Sequence, residues 1–119
     1  MKNELHVVLT GRWYKEHLNG KREEYREITP YWVQRLCVPE VRTISRFTAN
    51  QIVACILHKG ILPVYTGFRK FETLIGHYGY TGRTFEKPIV DIRIGRGNPE
   101  WGAPTDRPVF IINCGSLKL

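Results

Sequence analysis

Asn19-Gly20-Lys21-Arg22-Glu23-Glu24-Tyr25-Arg26, running on through Glu27-Ile28-Thr29-Pro30-Tyr31-Trp32, changes backbone class three times. Upstream of it, Thr10 is suited to cap a helix that carries Trp13, Tyr14, His17 and Leu18 at helical spacing. Gly20 admits the left-handed turn that ends such a helix and reverses the chain, which would bring Lys21 out at the mouth of a cleft. From Arg22 to Ile28 the chain reads as a strand, with Glu24 and Arg26 on one face and Glu23 and Tyr25 on the other. Thr29-Pro30 then starts a new helix over Tyr31 to Leu36, threonine as cap and proline at the first helical position, and Pro39 closes it.

The flanking sequence extends this alternation. Leu5 to Leu9 is a short apolar run suited to a buried strand. Thr48-x-x-Gln51 reads as a capping box. Ile52, Val53, Cys55, Ile56 and Leu57 follow as the apolar stripe of a helix that stops before Gly60 and serves packing. Phe71, Thr73 and Ile75 alternate like a strand, Gly76 to Arg83 form a glycine-rich turn, and Val90, Ile92 and Ile94 alternate with Asp91 and Arg93 in a clearer strand. Val109 to Asn113 closes the series with Phe110 and Ile112 on one face. Short strands interrupted by two or three helices predict an α+β fold and fit a small mixed β-barrel with the helices at its ends better than a βαβ layout, although periodicity alone does not close the barrel.

The chain has 119 residues, the length of one domain spanning 1–119. Its 18 lysines and arginines exceed 11 acidic residues for a net charge of +7, which favours anionic partners such as RNA or nucleotides over mere solubility. Cys37, Cys55 and Cys114 are odd in number and widely spaced. They predict reduced thiols in a cytoplasmic protein rather than a disulfide frame, and no metal-ligand spacing appears. No run approaches the roughly 18 apolar residues of a membrane span, and the N-terminus has no signal-peptide core. Neither a membrane nor a cofactor is expected.

The glycine followed by Lys21-x-x-Glu24-x-Arg26 resembles the signature of the ASCH family, small domains similar to PUA domains. The segment Ile94-Gly95-Arg96-Gly97-Asn98-Pro99-Glu100-Trp101-Gly102-Ala103-Pro104 resembles one found in bacterial members, there also followed by a closing strand. In the family the glycine usually lies two residues before the lysine; here Asn19 stands there and Gly20 is adjacent to Lys21. Residues 37–67 match nothing in that pattern. The resemblance implies a PUA-like barrel and RNA binding. In some relatives it implies hydrolysis, either RNA cleavage or amide hydrolysis on acetylated cytidine by a Lys-x-x-Thr arrangement. Glu24 occupies the threonine's place, and a carboxylate cannot take that nucleophile's part without a different mechanism.

Read as chemistry, Glu24 and Arg26 lie about 7 Å apart along a strand, within reach of an ion pair that serves structure more readily than catalysis. Lys21 is placed either to hold a phosphate or to lose its proton by partial burial. Arg93, Arg96 and Trp101 offer charge and a stacking indole beside glycines, with the tryptophan as a barrel plug the competing reading. Tyr80 and Arg83 supply a third candidate wall; His77 is a surface residue there, and His6, His17 and His58 read as packing.

Three functions follow. The first is a module binding RNA or a nucleotide through Lys21, Glu24, Arg26, Tyr80, Arg83, Arg93, Arg96 and Trp101. The second is a hydrolase of RNA or a modified nucleoside with Lys21 and Glu100 as acid and base, and the third is a protein-interaction domain.

Overall fold

The computed structural model describes residues 3–38 and 44–118. Five strands, β1 (Glu4–Leu9), β2 (Glu23–Arg26), β3 (Thr73–Tyr78), β4 (Thr84–Gly95) and β5 (Val109–Cys114), form one mixed sheet in the order β1-β3-β4-β5-β2. Of these pairings, β1 with β3 is parallel and the other three are antiparallel. The long crossover from β1 to β3 carries helices α1 (Gly11–Leu18), α2 (Pro30–Leu36) and α3 (Arg46–Lys59), together with β2.

The α+β class stands, and the closed barrel does not. β1 and β2 are the two edges of the sheet and share no ladder. Two arginines approach the β1 edge instead: Arg26 donates to the Val8 carbonyl at 3.3 Å and Arg35 to that of His6 at 3.1 Å. Carbonyls that an edge strand leaves open are thereby satisfied by side chains, which protects the edge without adding a strand.

The pleat decides which residues enter the core. Leu5, Val7 and Leu9 alternate inward on β1, whereas Val109 to Ile112 on β5 are buried in succession, as suits a strand with neighbours on both sides and covered faces. Helix α2 contributes Val33 and Leu36, and α3 contributes Ala49, Ile52 and Ile56. β4 is long because it serves two partners: Thr84–Pro88 side with β3 and Ile89–Gly95 with β5. A register shift between Ile89 and Asp91 marks the changeover, the bend that a bulge introduces.

Several local expectations need correcting. The strand predicted over Arg22–Ile28 shortens to Glu23–Arg26. Helix α3 is capped by Ser45, whose Oγ accepts from the Thr48 amide at 3.1 Å, so Thr48 is inside the helix and the capping box is not used. Gly76 and His77 belong to β3, and the turn is confined to residues 79–83. Thr29 does cap α2, accepting from the Trp32 amide. Thr10 precedes α1 without a side-chain cap bond. The stop expected at Pro39 lies outside the described residues. Among the described residues no helix is long and apolar enough to cross a membrane.

Candidate functional site

The turn at Gly20, φ 103°, delivers Lys21 from α1 to β2, and there the side chain turns inward. Lys21 is only 3% exposed, so it forms the floor of a cleft rather than emerging at its mouth. Its Nζ donates to Glu24 Oε1 at 3.2 Å and lies 4.7 Å from the Trp13 ring centre and 5.6 Å from that of Tyr25. Aromatic faces attract a cation, and among the described residues Glu24 is the one hydrogen-bond acceptor of this ammonium, which has three hydrogens.

Glu24 is the hub. Oε1 also takes a hydrogen bond from His17 Nε2 at 3.0 Å, and Oε2 takes one from Arg26 Nη2 at 2.7 Å. The strand period therefore pairs Glu24 with Arg26 as the sequence suggests, while His17 arrives from α1, where its spacing reads as packing. Behind His17, Lys87 of β4 reaches Nδ1 at 3.0 Å and also donates to the Lys21 carbonyl. An ammonium only donates, so Nδ1 is the accepting nitrogen and Nε2 carries the proton given to Glu24. Three cations thus surround one carboxylate and a neutral imidazole.

The electrostatics agree. Burial alone pushes the Glu24 carboxyl up, but the His17 hydrogen bond and the charges of Lys21 and Arg26 outweigh it and hold its pKa below the ordinary 4.5. Burial lowers the His17 pKa below 6.5 against the pull of Glu24, which keeps the ring neutral, and burial likewise lowers Lys87.

On the other face of β2, the Tyr25 hydroxyl donates to Glu23 at 2.6 Å and accepts the Asn98 amide at 2.8 Å. Burial and the bond to Glu23 raise its pKa, so the phenol stays protonated. This clamp brings the loop after β4 over the cleft. Asn98 caps a turn of 3₁₀ helix at Pro99–Trp101, and Trp101 and Gly102 join Trp13, Lys21, Glu24 and Tyr25 around a cavity of ≈ 70 Å³. Gly97 permits the approach: a Cβ there would stand 2.5 Å from the Tyr25 ring and 2.7 Å from Ala103 Cβ. Gly97→Ala is therefore expected to cost about 1–3 kcal/mol through overpacking, read as a lower midpoint in thermal unfolding.

The other residues singled out in the sequence lie elsewhere. Arg93 of β4 pairs with Glu23 of β2 at 2.7 Å, and Arg96 donates to the Thr105 carbonyl at 3.2 Å within the loop after β4, so both lie outside the cavity lining. Tyr80, 98% exposed, and Arg83 sit in the β3–β4 turn and do not line it. Glu100 is exposed and outside the cavity lining, and no hydrogen bond joins it to Lys21 among the described residues. The thiols of Cys37 and Cys114 are buried and unbridged, each pushed up to about 12 by burial, and Cys55 is also free. Among the described residues no His, Cys, Asp and Glu cluster is arranged to hold a metal ion.

No protein-family model, curated protein or solved structure matches the chain.

Proposed function

We propose that the chain is an ASCH-like domain whose cleft binds RNA or a nucleotide. The observation that carries this reading is Lys21: a buried ammonium held by Glu24, with Trp13, Tyr25 and Trp101 forming the walls of the same cavity. A cavity of ≈ 70 Å³ takes an edge rather than a whole nucleotide. A phosphate oxygen or a base carbonyl reaches Lys21, and the rest of the nucleotide stacks on the half-buried indole of Trp101. The net charge of +7 supplies long-range attraction for a phosphate backbone. The resemblance of Lys21-x-x-Glu24-x-Arg26 to the ASCH signature points to the same class of ligand.

Hydrolysis by Lys21 and Glu100 gains no support, because Glu100 lies outside the cavity lining and Glu24 is committed to three donors. Fluorescence anisotropy with short single-stranded RNA tests the binding reading. Trp101→Ala is expected to weaken binding by about 1–3 kcal/mol, the worth of one base–aromatic stack. A folded variant with unchanged affinity would remove Trp101 from the interface.

A further inference from the structure

Lys87 is the buried charge that the cleft does not use. It is 2% exposed, yet it has no carboxylate of its own: its hydrogen-bond acceptors are His17 Nδ1 and the Lys21 carbonyl. An ammonium has three hydrogens, and among the described residues the third has no acceptor. Lys87 lines a second cavity of ≈ 110 Å³, together with His17, Gly20, Arg22 and Ser116. No carboxylate is among the described residues that line it. Arg22 is exposed, and neither its guanidinium nor the Ser116 hydroxyl has a side-chain hydrogen bond within the described residues. The cavity thus brings together a buried ammonium, a free guanidinium and a hydroxyl, all able to donate. Lys21 and Arg26 already claim Glu24, so the nearest buried carboxylate does not neutralise Lys87.

We infer that this second cavity is an oxyanion site, in which a phosphate group bonds Lys87, Arg22 and Ser116. Its chemistry suits free inorganic phosphate and the terminal phosphate monoester of an oligonucleotide alike. The two cavities meet through His17, which lines the second and donates at 3.0 Å to Glu24, which lines the first.

The test follows backbone amides of the full chain by two-dimensional NMR. Inorganic phosphate is titrated against chloride at equal ionic strength, then a short oligoribonucleotide with and without a 5′-phosphate. Saturable phosphate-dependent shifts are expected at Gly20, Gly115 and Ser116, with chloride inert. Arg22→Ala, at an exposed position, keeps the fold and weakens phosphate binding about tenfold, as the loss of one charge-assisted hydrogen bond does. Lys87→Met abolishes it. Enhancement by the 5′-phosphate over both the free ion and the bare oligonucleotide assigns the site to a nucleic-acid end, and equal response to the free ion assigns it to phosphate itself. Shifts that chloride reproduces, or that survive unchanged in folded Arg22→Ala, overturn the site. Shifts confined to Trp101 and Gly102 overturn it too and report the cleft instead, so failure here and failure of RNA binding are separately visible.

Discussion

Glu24→Gln is expected to cost the fold about 3–5 kcal/mol, because it leaves buried cations without their shared carboxylate. The side chain keeps its size, so the loss reports charge rather than a cavity. A glutamine here offers one acceptor oxygen where the carboxylate presents two, and its amide would point donors at Arg26 or at Lys21 and His17, which themselves donate to this position. Against the usual total stability of about 5–15 kcal/mol, the variant keeps only part of its folding free energy. Urea unfolding at neutral pH, followed by tryptophan fluorescence, measures it; a loss below about 1 kcal/mol would mean the network relaxes or hydrates, contrary to the burial argued above.

The same variant separates two steps of acid sensitivity. His17 and Glu24 both have lowered pKa values in the fold, so the unfolded chain binds more protons and stability falls as pH falls. The His17 contribution is complete above its ordinary 6.5 and declines below it toward the folded value. The Glu24 contribution is complete above 4.5 and declines below that. Glu24→Gln removes the second decline.

Much of the scaffold was legible because its signals are local. Gly20 turns the chain, Thr29-Pro30 starts α2, and the alternation in β2 pairs Glu24 with Arg26. The inner half of the network was not, because it depends on which side chains a distant strand faces. His17 is fully buried while Leu18 beside it is 44% exposed, the reverse of what hydrophobicity selects. Lys87 comes from a strand far along the chain, and a lysine in a strand reads as solvent-facing. A signal was present: Lys87 shares its pleat face with Phe85, which is buried. Tyr80 and Arg83 failed to join the cleft for the opposite reason, since a composition suited to binding says nothing about where a hairpin turn points. The open sheet was equally hidden: strand count and length fit closure, and only the separate edges of β1 and β2, bridged by Arg26, show otherwise.

Lys21→Ala is expected to weaken single-stranded RNA binding tenfold or more at low salt and to lower the slope of log affinity against log salt by about one, the share of one phosphate contact. The fold is expected to survive this change better than Glu24→Gln, because Glu24 retains Arg26 and His17 as donors and no buried charge is left unpaired. Lys21→Met keeps an unbranched apolar stem of similar length, so a loss shared by both variants belongs to the ammonium, which lies over Trp13, and not to packing. Recovered RNA sized on a gel distinguishes binding from cleavage. Intact RNA with lysine-dependent, salt-sensitive affinity makes the cleft a binding site; fragments from wild type that both variants fail to produce make Lys21 a catalytic group, even with Glu100 outside the cavity lining. Unchanged affinity and slope in folded variants would leave Lys21 a structural partner of Glu24 alone, and the charge of the surface would then have to account for any RNA binding that remains.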